Sequence, residues 1–227
     1  MKEIISTQDS RTSADIVFDS LYQSIISLGL LPGTKMSEAK VAEQFGVSRQ
    51  PVRDAFNRLG NLKLLRIQPQ RATRVRKFSV ADIETARFIR LSLELEISRT
   101  ATELWDDSFA PRFDDLLAQQ DCAVENGDTE TFHMLDERFH ALITEVAQKP
   151  FALEMVKESK AQVQRICVLS LNNPDEMYNL AADHRRIYAA LSSGDKPTLE
   201  TELKLHLSRL EKTVESVRMS HADYFVE

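Results

Sequence analysis

Apolar residues recur at helical spacing along most of the chain, and the sharpest pattern lies in residues 37–59. One helix is predicted there by apolar positions at i, i+3, i+4 and i+7, namely Val52, Ala55, Phe56 and Leu59. A shorter helix is predicted before it, with Ala42 and Phe45 on its inner side and Gly46 as a left-handed stop. Ser48 suits the N-cap of the second helix, and Pro51 fits its first turn. The pattern therefore indicates two short helices joined by a tight turn.

The outward face of the second helix is basic and rich in amides near its start. Four polar residues lie on it: Arg49, Gln50, Arg53 and Asn57. In the major groove of DNA, arginine pairs with guanine, and asparagine or glutamine pairs with adenine. A DNA-reading helix is therefore one interpretation. The alternative is an ordinary helix pair with a solvated charged face.

Two short β-prone runs follow, over residues 64–69 and 73–77, on either side of the segment 69–72. They predict a hairpin, and a hairpin that follows a DNA-reading helix is a wing. Five basic residues crowd into the twelve positions from 66 to 77: Arg66, Arg71, Arg74, Arg76 and Lys77. We expect the hairpin to hold this positive charge beside DNA phosphates.

From Ser79 onward the helical spacing continues, and no segment is typical of a strand. Six helices are predicted, over residues 79–104, 109–125, 129–147, 151–171, 175–192 and 197–218. The apolar stripe of the first is Ile83, Ala86, Ile89, Leu93, Ile97 and Ala101. Short loops between the six favour antiparallel neighbours. The predicted fold class is therefore mainly α, with an N-terminal winged helix-turn-helix followed by an antiparallel all-α bundle of about six helices.

Charge supports a division of the chain into two domains. The whole chain has a net charge of −6, which argues against a nucleic-acid partner if it is taken as one body. Residues 12–77, however, hold eleven Lys and Arg against five Asp and Glu, whereas residues 78–227 hold sixteen against twenty-eight. Such asymmetry is typical of a DNA-binding module attached to another domain. We expect a flexible N-terminus over 1–11, a winged helix over 12–77 and a helical domain over 78–227.

The sequence also indicates where the protein resides. No apolar run approaches the roughly 20 residues of a membrane span, and no signal-peptide pattern opens the chain. Cys122 and Cys167 are the two cysteines, at helix positions expected to be buried or half-buried, and two cysteines make no disulfide framework. We expect a cytoplasmic protein that does not bind membranes.

Four side chains of the helical half suit a metal ion. Asp136 and His140 are four residues apart, so they leave one face of the third helix one turn apart, while His184 and His206 lie on the fifth and sixth helices. Three imidazoles and one carboxylate would suit Zn or Ni. Taken singly, each histidine is more often an ordinary core or surface residue than a metal ligand. His133, seven residues before His140 on the same face, could mimic a ligand.

The chain resembles a known family in both halves. Residues 13–75 resemble the winged helix of GntR-type bacterial regulators, with Leu31-Pro32-Gly33 before the helix pair and Val47-Ser48-Arg49-Gln50-Pro51-Val52-Arg53 at its centre. The helical remainder is similar to the FCD effector domain of the FadR-like branch. Its marks are Ile89-Arg90, Leu93-Glu94, Asp136, Phe139-His140, Asp183-His184 and His206.

The resemblance implies a homodimer that binds a palindromic operator, an inverted repeat, and usually represses transcription. It also implies a small effector, commonly an organic acid, held in the bundle and often on a metal. The metal ligands of the family fall on Asp136, His140, His184 and His206 of this chain. Arg90 matches a position that often faces the pocket, where it would pair with an effector carboxylate. The alternative for Arg90 is a salt bridge between helices.

Two departures from the family pattern concern the DNA contacts. The wing tip usually carries a glycine, whereas this chain has Gln70-Arg71-Ala72-Thr73, so either Arg71 takes over the contact or the wing sits differently. Ala39 stands where relatives often have a charged residue that contacts a phosphate, and Lys40 beside it is the candidate for that contact.

Two other classes of function are alternatives to a ligand-responsive regulator. A metal-dependent hydrolase would need a general base near the metal, and the sequence has no HExxH-like pairing or nucleophile motif. A DNA-binding dimer without an effector would need no polar cluster in its bundle. The sequence therefore favours a regulator and predicts that the protein is not an enzyme.

Overall fold

A computed structural model describes residues 11–68, 71–170 and 174–226. Within them the chain forms two compact units, one containing the residues up to Phe78 together with Val226, and one running from Ser79 to Phe225. Three predicted features fall outside the described residues: most of the flexible N-terminus, Pro69 and Gln70 of the wing tip, and the end of the fourth bundle helix at Leu171.

The first unit is a winged helix-turn-helix, as predicted. Its helices are α1 (Ser13–Ile26), α2 (Glu38–Phe45) and α3 (Arg49–Asn61). Its strands are β1 (Lys35–Met36), β2 (Leu65–Arg66) and β3 (Thr73–Val75), which form an antiparallel sheet in the order β1-β3-β2. In its register, Lys35 pairs with Arg74, and Leu65 pairs with Val75. The hairpin is thus present, with an additional short strand, β1, on the other side of β3.

Local chemistry fixes the positions of these elements. Thr12 and Asp15 form a capping box at the start of α1. Gly46 ends α2 with a φ of 63°, in the left-handed region that favours glycine. Arg58 of α3 donates to Asp15 at 2.8 Å and lies over the ring of Phe18, so it joins α3 to α1. Both helices also contribute buried side chains to the core of this unit: Val17, Leu21, Ile25, Val52, Ala55, Phe56 and Leu59.

The second unit is a helical bundle. Its described part contains the six predicted helices, α4 (Val80–Glu103), α5 (Ala110–Asn126), α6 (Thr129–Val146), α7 (Pro150–Ser170), α8 (Pro174–Ser192) and α9 (Lys196–Ser220). Two 3-10 turns accompany them, Asp107–Phe109 before α5 and Ala222–Tyr224 after α9. None of the described helices is long and apolar enough to cross a membrane.

The bundle core contains an apolar cluster and a set of buried charged side chains. Phe113, Phe132 and Phe139 are fully buried in the apolar part. On α4, the prediction that Ile89 faces the interior is wrong: Ile89 is 43% exposed, and the neighbouring Arg90 is buried instead. The inward stripe passes through Arg90 and Glu94 because these two side chains form an ion pair that meets a cluster of histidines.

The expectation for one of the cysteines is also wrong. Cys122 is exposed on α5, where its sulfur accepts from Asn126 Nδ2 at 3.4 Å, since the buried face of this helix passes through Gln120 and Ala123. Cys167 is half-buried, as expected.

Candidate DNA-binding surface and metal centre

The start of α3 presents the four polar side chains that the sequence singles out, and all four are exposed: Arg49, Gln50, Arg53 and Asn57. Within the described residues, the side chains of Arg49 and Asn57 make no hydrogen bond or ion pair. Gln50 donates to Asp54 at 3.0 Å, one turn further along the helix. Arg53 donates to Glu38 of α2 at 3.2 Å. Two of the four side chains are thus open to an external partner, and the other two donate hydrogen bonds to acidic neighbours.

The predicted phosphate-contacting residues are placed around this helix. Lys40 is exposed on α2, and Arg71 is exposed beside the described end of the wing. Arg74 is exposed on β3, but its guanidinium donates to the carbonyl of Gly33 at 2.8 Å, so part of its donor capacity is used within the unit. Glu38 is an acidic member of this surface that sequence reasoning missed. The contact could not be predicted because Glu38 and Arg53 are fifteen residues apart on different helices, and no helical spacing relates them.

In the bundle, the four predicted metal ligands meet. Asp136 and His140 lie on α6, His184 on α8 and His206 on α9, and all four are buried. One ligand atom from each lies within 4.8 Å of the others. His184 Nε2 is 3.5 Å from Asp136 Oδ1, and His140 Nε2 is 3.7 Å from the same oxygen. His206 Nε2 is 3.2 Å from His140 Nε2. This packing brings three Nε2 atoms and one carboxylate oxygen to a common point.

The opposite nitrogen of each histidine faces a polar group on another helix. His140 Nδ1 is 2.7 Å from Glu94 Oε2 of α4, and a carboxylate at that distance accepts the Nδ1 proton. His184 Nδ1 is 2.9 Å from Gln120 Oε1 of α5. The Gln120 amide nitrogen donates to the carbonyl of Leu135, which fixes its oxygen toward His184. Two imidazoles are therefore held with Nδ1 protonated and an Nε2 lone pair directed at the cluster.

The neighbours of His206, the third histidine, indicate whether a metal ion fits the cluster. His206 Nδ1 is 3.5 Å from the Asp183 carboxylate, and its Nε2 faces His140 Nε2. If Nδ1 carries the proton, two Nε2 lone pairs face each other. If Nε2 carries it, the Nδ1 lone pair faces a carboxylate. Neither neutral form satisfies both neighbours, whereas a cation among the Nε2 atoms does. His184 Nε2, which is completely buried, also has no hydrogen-bond partner. These unsatisfied nitrogens fit a metal ion.

Burial governs the protonation of the cluster. It lowers the pKa of His140 and His206, and that of His184 to about 4, so the three imidazoles are neutral near pH 7. Although burial alone would raise it, the pKa of Asp136 lies well below its ordinary value because the Lys160 ammonium is close. The donors thus have the protonation that metal binding needs.

Arg90 reaches the cluster from α4, and Lys160 reaches it from α7. Arg90 donates through Nε to Glu94, and its Nη2 is 3.5 Å from His140 Nε2. The predicted effector residue therefore lies at the cluster, with an ion pair along its own helix rather than between helices. Lys160 Nζ is 2.6 Å from Asp136 Oδ2.

A cavity of about 60 Å³ adjoins these groups, and among its lining residues are Arg90, Asp136, Lys160 and His206. His133, half-buried on α6, lines the same cavity and is not one of the four clustered ligands. Sequence reasoning missed Lys160 and Gln120, because their roles depend on which faces of α7 and α5 meet α6. The cavity is therefore lined both by members of the candidate metal cluster and by two cationic side chains, Arg90 and Lys160.

A winged helix with a basic recognition helix, joined in one chain to a helical bundle, defines a DNA-binding transcription regulator. The sequence matches bacterial regulatory proteins of the gntR family over residues 13–75 and the FCD domain over residues 86–209. The chain belongs to the GntR family and has the FadR-like architecture with an FCD domain, which confirms the resemblance drawn from its motifs.

Individual relatives agree with this assignment. The HTH-type transcriptional repressor RspR of Escherichia coli (strain K12) is 32% identical over 211 residues, covering 93% of this chain and 92% of RspR. A probable D-xylose utilization operon transcriptional repressor of Paenarthrobacter nicotinovorans is 29% identical over 184 residues, covering 81% of this chain and 80% of that protein. The solved structure of E. coli McbR/YncC shares the fold, with a TM-score of 0.78 at 23% identity over 91% of this chain and 99% of that one. The protein is a transcription regulator and not an enzyme, as predicted.

Proposed function

We propose that this protein represses transcription by binding an inverted-repeat operator as a homodimer, and that a small organic acid bound at a metal centre in the bundle controls this binding. The observation that carries the proposal is the convergence of Asp136 with three histidine Nε2 atoms in a chain that begins with a winged helix. Repression is favoured because the similar RspR and the Paenarthrobacter protein are named as repressors.

The donor set supports Zn or Ni as the metal. Imidazole nitrogens suit both ions, and a carboxylate oxygen completes four ligands. A divalent ion held by Asp136, His140, His184 and His206 would supply positive charge and one or two open positions for an oxygen ligand. Arg90 would hold the carboxylate of that ligand through guanidinium donors that its bond to Glu94 leaves open. The residues of the cluster bind and orient the acid, and no bond of the acid is broken.

The DNA contacts are assigned to two groups of residues. Base edges would be read by Arg49, Gln50, Arg53 and Asn57, whereas phosphates would be contacted by Lys40, Arg71 and Arg74. A single winged helix reads too few base pairs for a specific site, and a two-fold pair doubles the contacts. Sedimentation at micromolar concentration with an operator duplex tests this step. A protein that stays monomeric with and without DNA contradicts it.

The acid acts on DNA binding only if it binds two arrangements of the protein unequally. The test therefore joins metal content, acid binding and DNA affinity in one set of proteins. Operator duplexes selected from a random library give the DNA probe, and fluorescence anisotropy gives its dissociation constant with and without a panel of carboxylates. Elemental analysis after incubation with Zn or Ni gives the metal content.

His184→Ala is the informative variant, and His221→Ala, which changes a histidine outside the cluster, is its control. We expect the wild type and His221→Ala to hold about one metal per chain and to change their DNA affinity with acid. His184→Ala should hold no metal and lose the acid response while it still binds DNA. A wild type that takes up no metal ends the metal proposal. Metal binding with no acid response would instead support a DNA-binding dimer without an effector.

A further inference from the structure

We infer that Lys160 is a second anion-binding residue of the bundle cavity and that it selects a small dicarboxylate over a monocarboxylate. This inference rests on the proposed effector function and names the class of acid. It is carried by two buried cations, Lys160 and Arg90, which line one cavity from different helices and have unused hydrogen-bond donors.

Lys160 is buried to an unusual degree for a lysine. Its side chain is 8% exposed, and its Nζ contacts one carboxylate oxygen, Asp136 Oδ2, within the described residues. An ammonium has three donors, so two remain for another acceptor. A buried cation with a single acceptor is incompletely compensated. Lys160 lines the cavity, so an anion that enters can reach the remaining donors.

Arg90 provides the second anchor. It uses Nε for Glu94, and its Nη2 lies near the Nε2 atoms at which a metal would be held. A carboxylate on the metal and Arg90 would leave Lys160 free for a second one. Asp136 can bind a metal and a lysine at the same time, because its Oδ1 faces the histidines while its Oδ2 accepts a hydrogen bond from Lys160.

The charge balance favours a dianion. The buried cations Arg90 and Lys160 are paired with the buried carboxylates of Glu94 and Asp136. The other charged residues that line the cavity, Arg209 and Glu176, are only half-buried, so solvent screens their charges, and Arg209 also pairs with Asp183. A divalent ion would add two positive charges to this buried, balanced set. Two carboxylates would compensate them, whereas one would leave a charge in a poorly solvated site.

The volume of the cavity limits the size of the acid that can bind. The cavity volume of about 60 Å³ is several times the roughly 10–15 Å³ that a single water molecule needs, so a small ligand has room to enter. An acid that binds here must therefore be short, and the shortest diacids are the ones to test. Malonate and succinate are therefore the probes, and propionate and butyrate are the monoacids of the same chain lengths.

Calorimetry on the full chain loaded with Zn tests the inference, and Lys157 provides the matched control. Lys157 lies one turn before Lys160 but has an exposed side chain that pairs with Glu154. We expect the wild type and Lys157→Met to bind a diacid at least about tenfold more tightly than its monoacid. Lys160→Met should weaken diacid binding by about tenfold to a hundredfold, as loss of a charged hydrogen bond does, and leave monoacid binding within about threefold.

A second readout is metal affinity, measured by competition with a chromogenic chelator. Lys160→Met removes a cation beside Asp136, so it should hold Zn at least as tightly as the wild type. Loss of Zn binding in this variant would mean that Lys160 only positions Asp136, and it would overturn the inference. If Lys160→Met fails to fold, the preference of the wild type decides, because equal binding of monoacids and diacids also overturns it. A wild type that binds Zn but no acid refutes the proposed effector function itself.

Discussion

His140 and His206 approach each other through their Nε2 atoms, 3.2 Å apart, although they lie on α6 and α9. The Nδ1 atom of each ring points toward a carboxylate, that of Glu94 for His140 and that of Asp183 for His206. The two rings are thus oriented before any ion binds. A metal needs little rearrangement of its ligands here, and most of its binding free energy is available to hold α6, α8 and α9 together.

Metal removal should therefore destabilise the bundle. A ligand at a hundred times its dissociation constant stabilises the folded state by about 2.7 kcal/mol. For a domain of this size, that amount corresponds to a fall in Tm of about 5–10 °C on chelation. Differential scanning calorimetry with and without EDTA measures it. His184→Ala should have the lower Tm and show no response to EDTA, and an equal response in both proteins would contradict the assignment.

Gln120 should affect metal affinity without touching the metal. Gln120→Leu removes the acceptor of His184 Nδ1, which frees the ring to rotate or change tautomer. Loss of such outer partners typically weakens metal binding by about 10–100-fold. Gln120→Glu keeps an acceptor for His184 Nδ1 but loses the donor to the Leu135 carbonyl, so it should bind the metal more tightly than Gln120→Leu. Chelator competition on both variants gives the comparison, and equal weakening in the two would indicate a packing defect instead.

On the DNA side, Arg53→Ala should relax specificity. If Arg53 pairs with a guanine, its loss costs about 1–3 kcal/mol at one position of each half-site. Anisotropy titrations with operators substituted position by position report this loss. Arg112→Ala, which removes an exposed arginine of the bundle, is the charge-matched control. Unchanged affinity and selectivity in Arg53→Ala would remove Arg53 from the base-reading set.

Glu38→Gln should have the opposite effect. Arg53 donates to Glu38 at 3.2 Å, so this ion pair must break before the Arg53 guanidinium can contact a base. The neutral variant frees Arg53 and removes a negative charge near the phosphates. We expect tighter binding to operator and to unrelated DNA alike. The double variant Glu38→Gln/Arg53→Ala separates the two causes, because only the general electrostatic gain persists in it.

The wing should contribute through phosphates. Arg71→Ala should weaken binding to all sequences and reduce the slope of log affinity against log salt by about 0.9 for each phosphate that the variant no longer neutralises. Arg74 should matter less, since its guanidinium is partly engaged by Gly33. Titrations between about 50 and 200 mM salt resolve the difference. A sequence-selective effect of Arg71→Ala would mean that it reads a groove.

The parts of the fold that could be predicted are those whose residues follow a regular spacing within one element. Val52, Ala55, Phe56 and Leu59 keep a 3.6-residue period within one helix, and all four are buried as predicted. β1 has two residues and no measurable period, so its pairing with β3 depends on contacts made by the folded unit. The prediction that Ile89 rather than Arg90 faces the core was wrong for a related reason. Hydropathy assigns the apolar residue to the core, but at this point the core contains an ion pair, which depends on tertiary contacts.

The same distinction applies to the candidate site. Asp136 and His140 could be paired from their spacing on one helix. His184 and His206 could be named as candidates on two other helices, and the resemblance strengthened that choice. Lys160 was not predictable, because a single lysine on an amphipathic helix is most often solvated. Its burial depends on α7 packing against α4 and α6, which one sequence does not specify.

The order of the ligands along the chain has a consequence for biosynthesis. His206, the last of the four, follows the wing strand that ends at Val75 by 131 residues. At a translation rate of about 5–20 residues per second, the ribosome needs about 7–26 s to make that length. Every new chain therefore passes through an interval in which its recognition helix has been synthesised and the proposed metal site still lacks its last ligand.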